Sequence, residues 1–219
     1  MSKVMAIGAH PDDIEFGCGG TLMRHVKAGD DVVYVCMTNT ESKSGTTGDV
    51  LRTHNQLLEE VKCATDKLGV SNLEFLDFKD LHVPFSFKSV SELDKIIQRY
   101  KVDTIYTHWA GDSNQDHIAT FKSTMAAARY VRNVYCYEQI PIPRLSENEM
   151  KINYYIDISD YMEDKIEVAK CHESQIKKYK KVGFDIPNRL RVLAEFRGIQ
   201  ANCKYAEGFH IIKKVENGC

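Results

Sequence analysis

Paired cysteines, a basic surplus and long apolar runs are all missing from this chain of 219 residues. Seven cysteines are present, but none falls in a CxxC pair and their number is odd. That spacing argues against a disulfide framework or a thiolate zinc site and leads us to expect a reducing compartment. Net charge is only −2, which disfavours a dedicated nucleic-acid binder. The local run Lys177, Lys178, Lys180, Lys181 reads as a solvated helix face. The apolar stretch after Met1 is about six residues, too short for a signal peptide or a membrane span. We therefore expect a cytoplasmic protein with neither membrane nor nucleic acid as partner.

What remains is ordinary globular material. Hydrophobic residues make up 43% and charged residues 27%, enough for a packed core within one domain spanning 1–219. Buried strands are predicted at 3–9, 32–37, 73–78, 104–108, 134–137 and 154–158. Helices are predicted at 21–28 after a glycine-rich turn (Gly17 to Gly20), at 50–68 capped by Gly69, and at 91–100, 117–131, 161–179 and 188–205. Residues 38–49, polar and rich in Thr, Ser and Gly, read as a mobile loop over a site. Pro141 and Pro143 mark an irregular stretch. Strand and helix alternate through the first two thirds, so the expected fold is α/β, a Rossmann-like three-layer arrangement on a mainly parallel sheet. Exposed apolar helix surface near the C-terminus makes a homo-oligomer an expectation.

Two polar clusters follow predicted strands, where parallel sheets bind ligands. The first is His10-Pro11-Asp12-Asp13, with Glu15 beyond. His10 and Asp13, three apart in a turn fixed by Pro11, can point to one ion, leaving Asp12 free to act on a metal-activated water. The second runs from Asp112 to His117. Six polar residues between a buried strand and a helix are costly unless the site is wet or metallated. His117, with Asp116 beside it, is the best third ligand. Two imidazoles and one carboxylate suit Zn2+, and the same set also serves Fe2+.

AHPDDIEFGCGGTL (residues 9–22) resembles the N-terminal signature of the PIG-L/LmbE deacetylases, and the stretch His108 to His117 ending DSNQDH resembles their second motif. Weaker echoes follow in the same order: Gly48 to Arg52, Tyr137-Glu138, His172 with Ser174-Gln175, and RGIQANCKYAEGF. The resemblance implies an LmbE-like fold and zinc-dependent removal of acetyl from an N-acetyl amino sugar. It implies His10, Asp13 and His117 as zinc ligands, Asp12 as general base, Asp116 as an orienting group and Arg52 as a substrate contact. One departure stands out: Asn114 occupies a place where the family commonly has histidine. Its amide can donate a hydrogen bond but cannot deliver a proton. The acid role then falls to Asp12 acting twice, to His108 or to His172, and Asp12 with Asn114 as donor is favoured.

Arg52, His108, Asp112, Glu138 and His172 are the expected substrate-binding residues. Arg52 has the planar fork that pairs with anionic oxygens, so a nucleotide-linked N-acetyl sugar leads. A thiol-cofactor precursor bearing N-acetylglucosamine is the nearest rival, and a non-catalytic sugar- or nucleotide-binding relative a further one. A nucleotide cradle at Gly17–Gly20 lacks GxGxxG spacing. An iron oxygenase with the same ligands usually sits in a jelly roll, not in alternating strands and helices.

Overall fold

The computed structural model describes residues 1–44, 46–140 and 149–216. Its elements in chain order are β1 (Lys3–Gly8), α1 (Asp13–Lys27), β2 (Asp31–Thr38), β3 (Ser42–Lys43), β4 (Val50–Arg52), α2 (His54–Leu68), β5 (Asn72–Phe78), α3 (Phe87–Tyr100), β6 (Thr104–Thr107), α4 (Gln115–Ala127), β7 (Asn133–Tyr137), β8 (Tyr154–Asp157), α5 (Met162–Ala169), α6 (Glu173–Lys180), α7 (Ile186–Ala201) and β9 (Ala206–Lys213). Seven strands form one sheet in the order β5-β2-β1-β6-β7-β9-β8, and β3 pairs with β4 as a separate hairpin. The first five strands run parallel, and β9 lies antiparallel between β7 and β8. The expected mainly parallel α/β sheet is the one observed.

Alternation along β1 divides the core. Val4 and Ala6 face α1, α2, α5 and α7, whereas Met5 and Ile7 face α3 and α4, giving three layers. All four residues are completely buried, as a strand covered on both faces requires. Among the described residues no helix is long and apolar enough to cross a membrane.

Several boundaries differ from the sequence reading. The glycines at 17–20 form no turn before a helix: α1 starts at Asp13 and runs through them, kinked at Cys18 (φ −144°, ψ 22°). Gly17 is required for packing, because a Cβ there would lie 2.4 Å from the Tyr137 ring. The helix predicted from Val50 begins at His54, because Thr53 caps it in a reciprocal box with Gln56. Val50–Arg52 instead pair with Ser42–Lys43, so the expected loop is partly a hairpin. The helix predicted over 161–179 is two helices, α5 and α6. The last helix ends at Ala201, where Asn202 turns left-handed (φ 56°), and β9 follows unpredicted. The Pro141–Pro143 stretch lies outside the described residues.

The cysteine reading is corrected. Cys63 and Cys171, 108 residues apart, form a disulfide joining α2 to the turn between α5 and α6. Local spacing could not show a pairing over that distance. The inference of a reducing compartment loses its premise.

Candidate metal centre

β1 and β6 are neighbours in the sheet, and the helices that follow them, α1 and α4, pack on its opposite faces. Such a switch point opens a crevice at the carboxyl ends of the strands. The turn after β1 carries His10 to Asp13, and the segment after β6 carries His108 to His117. These segments, about one hundred residues apart in sequence, meet there. His117 Nε2 lies 3.3 Å from Asp13 Oδ1, and His10 Nδ1 lies 3.4 Å from Asp13 Oδ2. One donor atom from each of His10, Asp13 and His117 falls within 4.8 Å of the others.

Two further triads satisfy the same distance: His108 with Asp112 and His117, and His10 with Asp80 and Asp116. Only His10, Asp13 and His117 have every member on the wall of one cavity of about 340 Å3. The remaining groups hold these three in place. Asp112 Oδ2 lies 2.8 Å from His117 Nδ1 and directs the opposite nitrogen to Asp13. Its other oxygen accepts from the Asn114 backbone N–H at 2.8 Å. Asp116 Oδ1 accepts from the Val83 backbone N–H (3.1 Å), while Oδ2 lies 3.0 Å from His10 Nε2. Two imidazole nitrogens and one carboxylate oxygen, with ordered outer partners, fit Zn2+ or Fe2+.

The electrostatics suit a cation. Burial opposes charge on His10, but hydrogen bonds it donates to Asp116, Asp13 and Asp80 hold its pKa well above the ordinary value. Burial opposes ionisation of Asp13, yet the imidazoles of His117 and His108 outweigh it and hold the carboxyl well below the usual range. Burial, reinforced by the charge of Asp13, pushes Asp12 up to about 6. Asp12 also has φ 121°, a conformation that costs of order 1–3 kcal/mol and persists only where the surroundings impose it. It sits at the start of α1 and lines the cavity.

Asn114 caps α4 and lines the same cavity. Its Oδ1 accepts from the Asp116 N–H at 2.8 Å, which leaves the Nδ2 hydrogens available as donors. Arg52 also lines it, with its guanidinium donating to Pro11 O at 3.2 Å. The other expected substrate contacts sit elsewhere. His108 is wholly buried and stacked on His117 at 3.9 Å, with Nε2 3.1 Å from Asp13 and 3.0 Å from the Ala9 nitrogen. Those two contacts are alternatives, because a neutral imidazole nitrogen either donates or accepts. Burial, then the charge of His117, lowers the His108 pKa to about 4. Glu138 pairs with Arg197 and ties β7 to α7. His172 is buried against Glu15. Asp112 lies behind His117, as described above.

Asp80, Gln139 and Ser42 line the cavity without having been singled out, and so does Lys178, which the sequence placed on a solvated helix face. Asp80 and Gln139 follow β5 and β7 at their carboxyl ends, so the strand-end rule that flagged His10 could have flagged them too. Asp80 Oδ1 lies 3.2 Å from His10 Nε2, and Gln139 Nε2 donates to Asp13 O at 3.1 Å. A larger groove of about 770 Å3 beside the site holds none of the three donors.

The chain is 28% identical over 234 aligned positions to diacetylchitobiose deacetylase of Thermococcus kodakarensis, covering 98% of this chain and 85% of that one. Its fold matches the conserved protein TT1542 of Thermus thermophilus with a TM-score of 0.81 at 20% identity, over 100% and 98% of the two chains. It also matches GalB, the 4-carboxy-2-hydroxymuconate hydratase of Pseudomonas putida, with a TM-score of 0.79 at 21% identity over the whole of both chains. The fold therefore hosts more than one reaction. With residues 5–128 matching the family model of the GlcNAc-PI de-N-acetylases, the chain belongs to the PIG-L family.

Proposed function

We propose that this chain, read as one deacetylase domain, hydrolyses the acetamide of an N-acetylated amino sugar, releasing acetate and the free amine. The observation that carries the reading is the convergence of His10, Asp13 and His117 on one cavity wall beside Asp12. Deacetylase activity in the Thermococcus relative, whose similarity spans nearly this whole chain, supports it. Zn2+ is the proposed ion, with Fe2+ as the alternative the donor set also admits. When bound, such an ion polarises the acetamide carbonyl and lowers the pKa of a coordinated water towards about 7.

The chain's own groups do the rest. Asp12 Oδ accepts the proton of the attacking water as its oxygen bonds to the acetyl carbon. The same carboxyl then delivers the proton to the departing amine nitrogen as the C–N bond breaks, so one water is consumed for each acetate and amine formed. Proton transfer of this kind contributes about 100- to 10,000-fold. The elevated pKa of Asp12 suits a group that must both take and return a proton. Asn114 Nδ2 donates to the carbonyl oxygen as negative charge develops there. Asp112 and Asp116 fix the orientations of His117 and His10.

The test is acetate release from N-acetylglucosamine, N,N'-diacetylchitobiose, a UDP-linked N-acetyl sugar and an N-acetylglucosamine-bearing thiol precursor, with and without a chelator. Chelator-sensitive release from at least one is expected. No release from any of them by metal-loaded protein would overturn the reading.

A further inference from the structure

The β3–β4 hairpin holds two buried polar atoms that have no partner among the described residues, and both belong to residues on the wall of the cavity. Ser42 and Arg52 are directly opposite in its antiparallel register, so their side chains lie on one face. They are 8% and 3% exposed. Among the described residues the Ser42 Oγ and Arg52 Nε atoms each lack a hydrogen-bond partner. A buried donor left unmade costs about 1–3 kcal/mol, so two on one face are explained by a ligand that pairs with them. The guanidinium is not free to swing toward another partner. It donates to Pro11 O at 3.2 Å and lies 3.6 Å from Glu60, whose two oxygens already accept from the N–H and hydroxyl of Ser174. The Nε atom is thereby fixed beside the turn that carries Asp12.

Lys178, on α6, adds a charge to the same cavity. Its Nζ donates to the neutral amide oxygen of Gln175 at 3.4 Å, and among the described residues no ion pair involves it. Its neighbour Lys177, by contrast, pairs with Glu173 at 2.6 Å. Lys178 and Leu51 are the two residues shared with the larger groove, so the charge stands where the cavity opens into it.

We propose that Ser42, Arg52 and Lys178 form a subsite for an anionic oxygen group, phosphate or carboxylate, carried by the substrate on the side of its sugar that faces the groove. This rests on the deacetylase reading and narrows its substrate class to N-acetyl sugars with an acidic aglycone. A guanidinium Nε–H and a hydroxyl on one face, with an ammonium lining the same cavity, match two or more oxygens of one anion.

The experiment compares kcat/KM of the metal-loaded chain for N-acetylglucosamine 1-phosphate, a carboxymethyl N-acetylglucosaminide and the neutral methyl N-acetylglucosaminide. At least one anionic substrate is expected to exceed the neutral one by about tenfold or more, about 1.4 kcal/mol. Which of the two leads distinguishes phosphate from carboxylate. Lys178→Ala and Ser42→Ala should each shrink that ratio by about fivefold. A neutral substrate used as well as both anionic ones would overturn the subsite while leaving the deacetylase reading intact. Calorimetry with glucosamine 1-phosphate against glucosamine reads the subsite without turnover. Tighter binding of the phosphate, weakened in Lys178→Ala, supports it even if none of the three glycosides is hydrolysed. Equal binding of the two, or no binding of either, overturns it.

Discussion

His172 Nε2 lies 2.9 Å from Glu15 Oε1, and neither side chain has any exposure to solvent. The Tyr34 hydroxyl lies 3.1 Å from both oxygens of the same carboxylate. A charge this deep is tolerated only with such partners. The pair joins the first turn of α1, directly after the His10–Asp13 turn, to the start of α6. Replacing Glu15 with Ala strands a buried imidazole and a buried hydroxyl and should cost about 3–5 kcal/mol. Glu15→Gln, which keeps an acceptor, should cost less. Urea unfolding of both variants checks this order.

The same contact gives stability a pH dependence. Burial disfavours the His172 imidazolium, but the charge of Glu15 and the hydrogen bond to it prevail, and the pKa is raised above the ordinary 6.5. The native state therefore holds that proton more tightly than the unfolded chain. Its contribution is complete below about 6.5 and fades as pH rises through the higher native value. The difference in unfolding free energy between the parent chain and His172→Gln should be constant below about pH 6.5 and narrow as pH rises above it. A difference that is flat or grows would contradict the assignment.

The Cys63–Cys171 bridge closes a separation of 108 residues. In the chain-entropy account a loop of that size is stabilised by up to about 4.7 kcal/mol. Cys63→Ser should lower the denaturation midpoint, and a reductant should lower the parent midpoint by a similar amount while leaving the variant unchanged.

Asp12→Asn keeps the shape of the site but cannot take a proton. Turnover should fall by about 100- to 10,000-fold. Steady-state acetate release on the best substrate of the panel measures this, and near-parent activity would remove Asp12 from the base role.

How far the sequence carried the reading depended on the range of each interaction. Strands β1, β2 and β6 were legible because parallel strands covered on both faces leave short apolar runs. The clusters at His10 and Asp112 stood out because polar runs at the ends of such strands need a reason to exist. β9 was hidden: it is antiparallel, half-exposed at Ile211 and Ile212, and follows a helix whose end is set by one left-handed asparagine. The glycine turn was misplaced because Gly17 and Gly20 serve Tyr137 and Ile158, more than one hundred residues away. Glu138 stood near the site in sequence order, yet Arg197 from α7 takes it away. Lys178 read as part of a solvated basic run because nothing local distinguishes it from its neighbours. The hairpin that aligns Ser42 with Arg52 is only three residues long on its longer strand, too short for any pattern to register.

The proposed site holds one divalent cation between two imidazoles and a carboxylate drawn from two strand ends. Metal content per chain, measured side by side on the parent, Asp12→Asn and His117→Ala, decides whether it does. One equivalent in the parent and in Asp12→Asn, with loss of the ion in His117→Ala, is the expected result. A full equivalent retained by folded His117→Ala would contradict it.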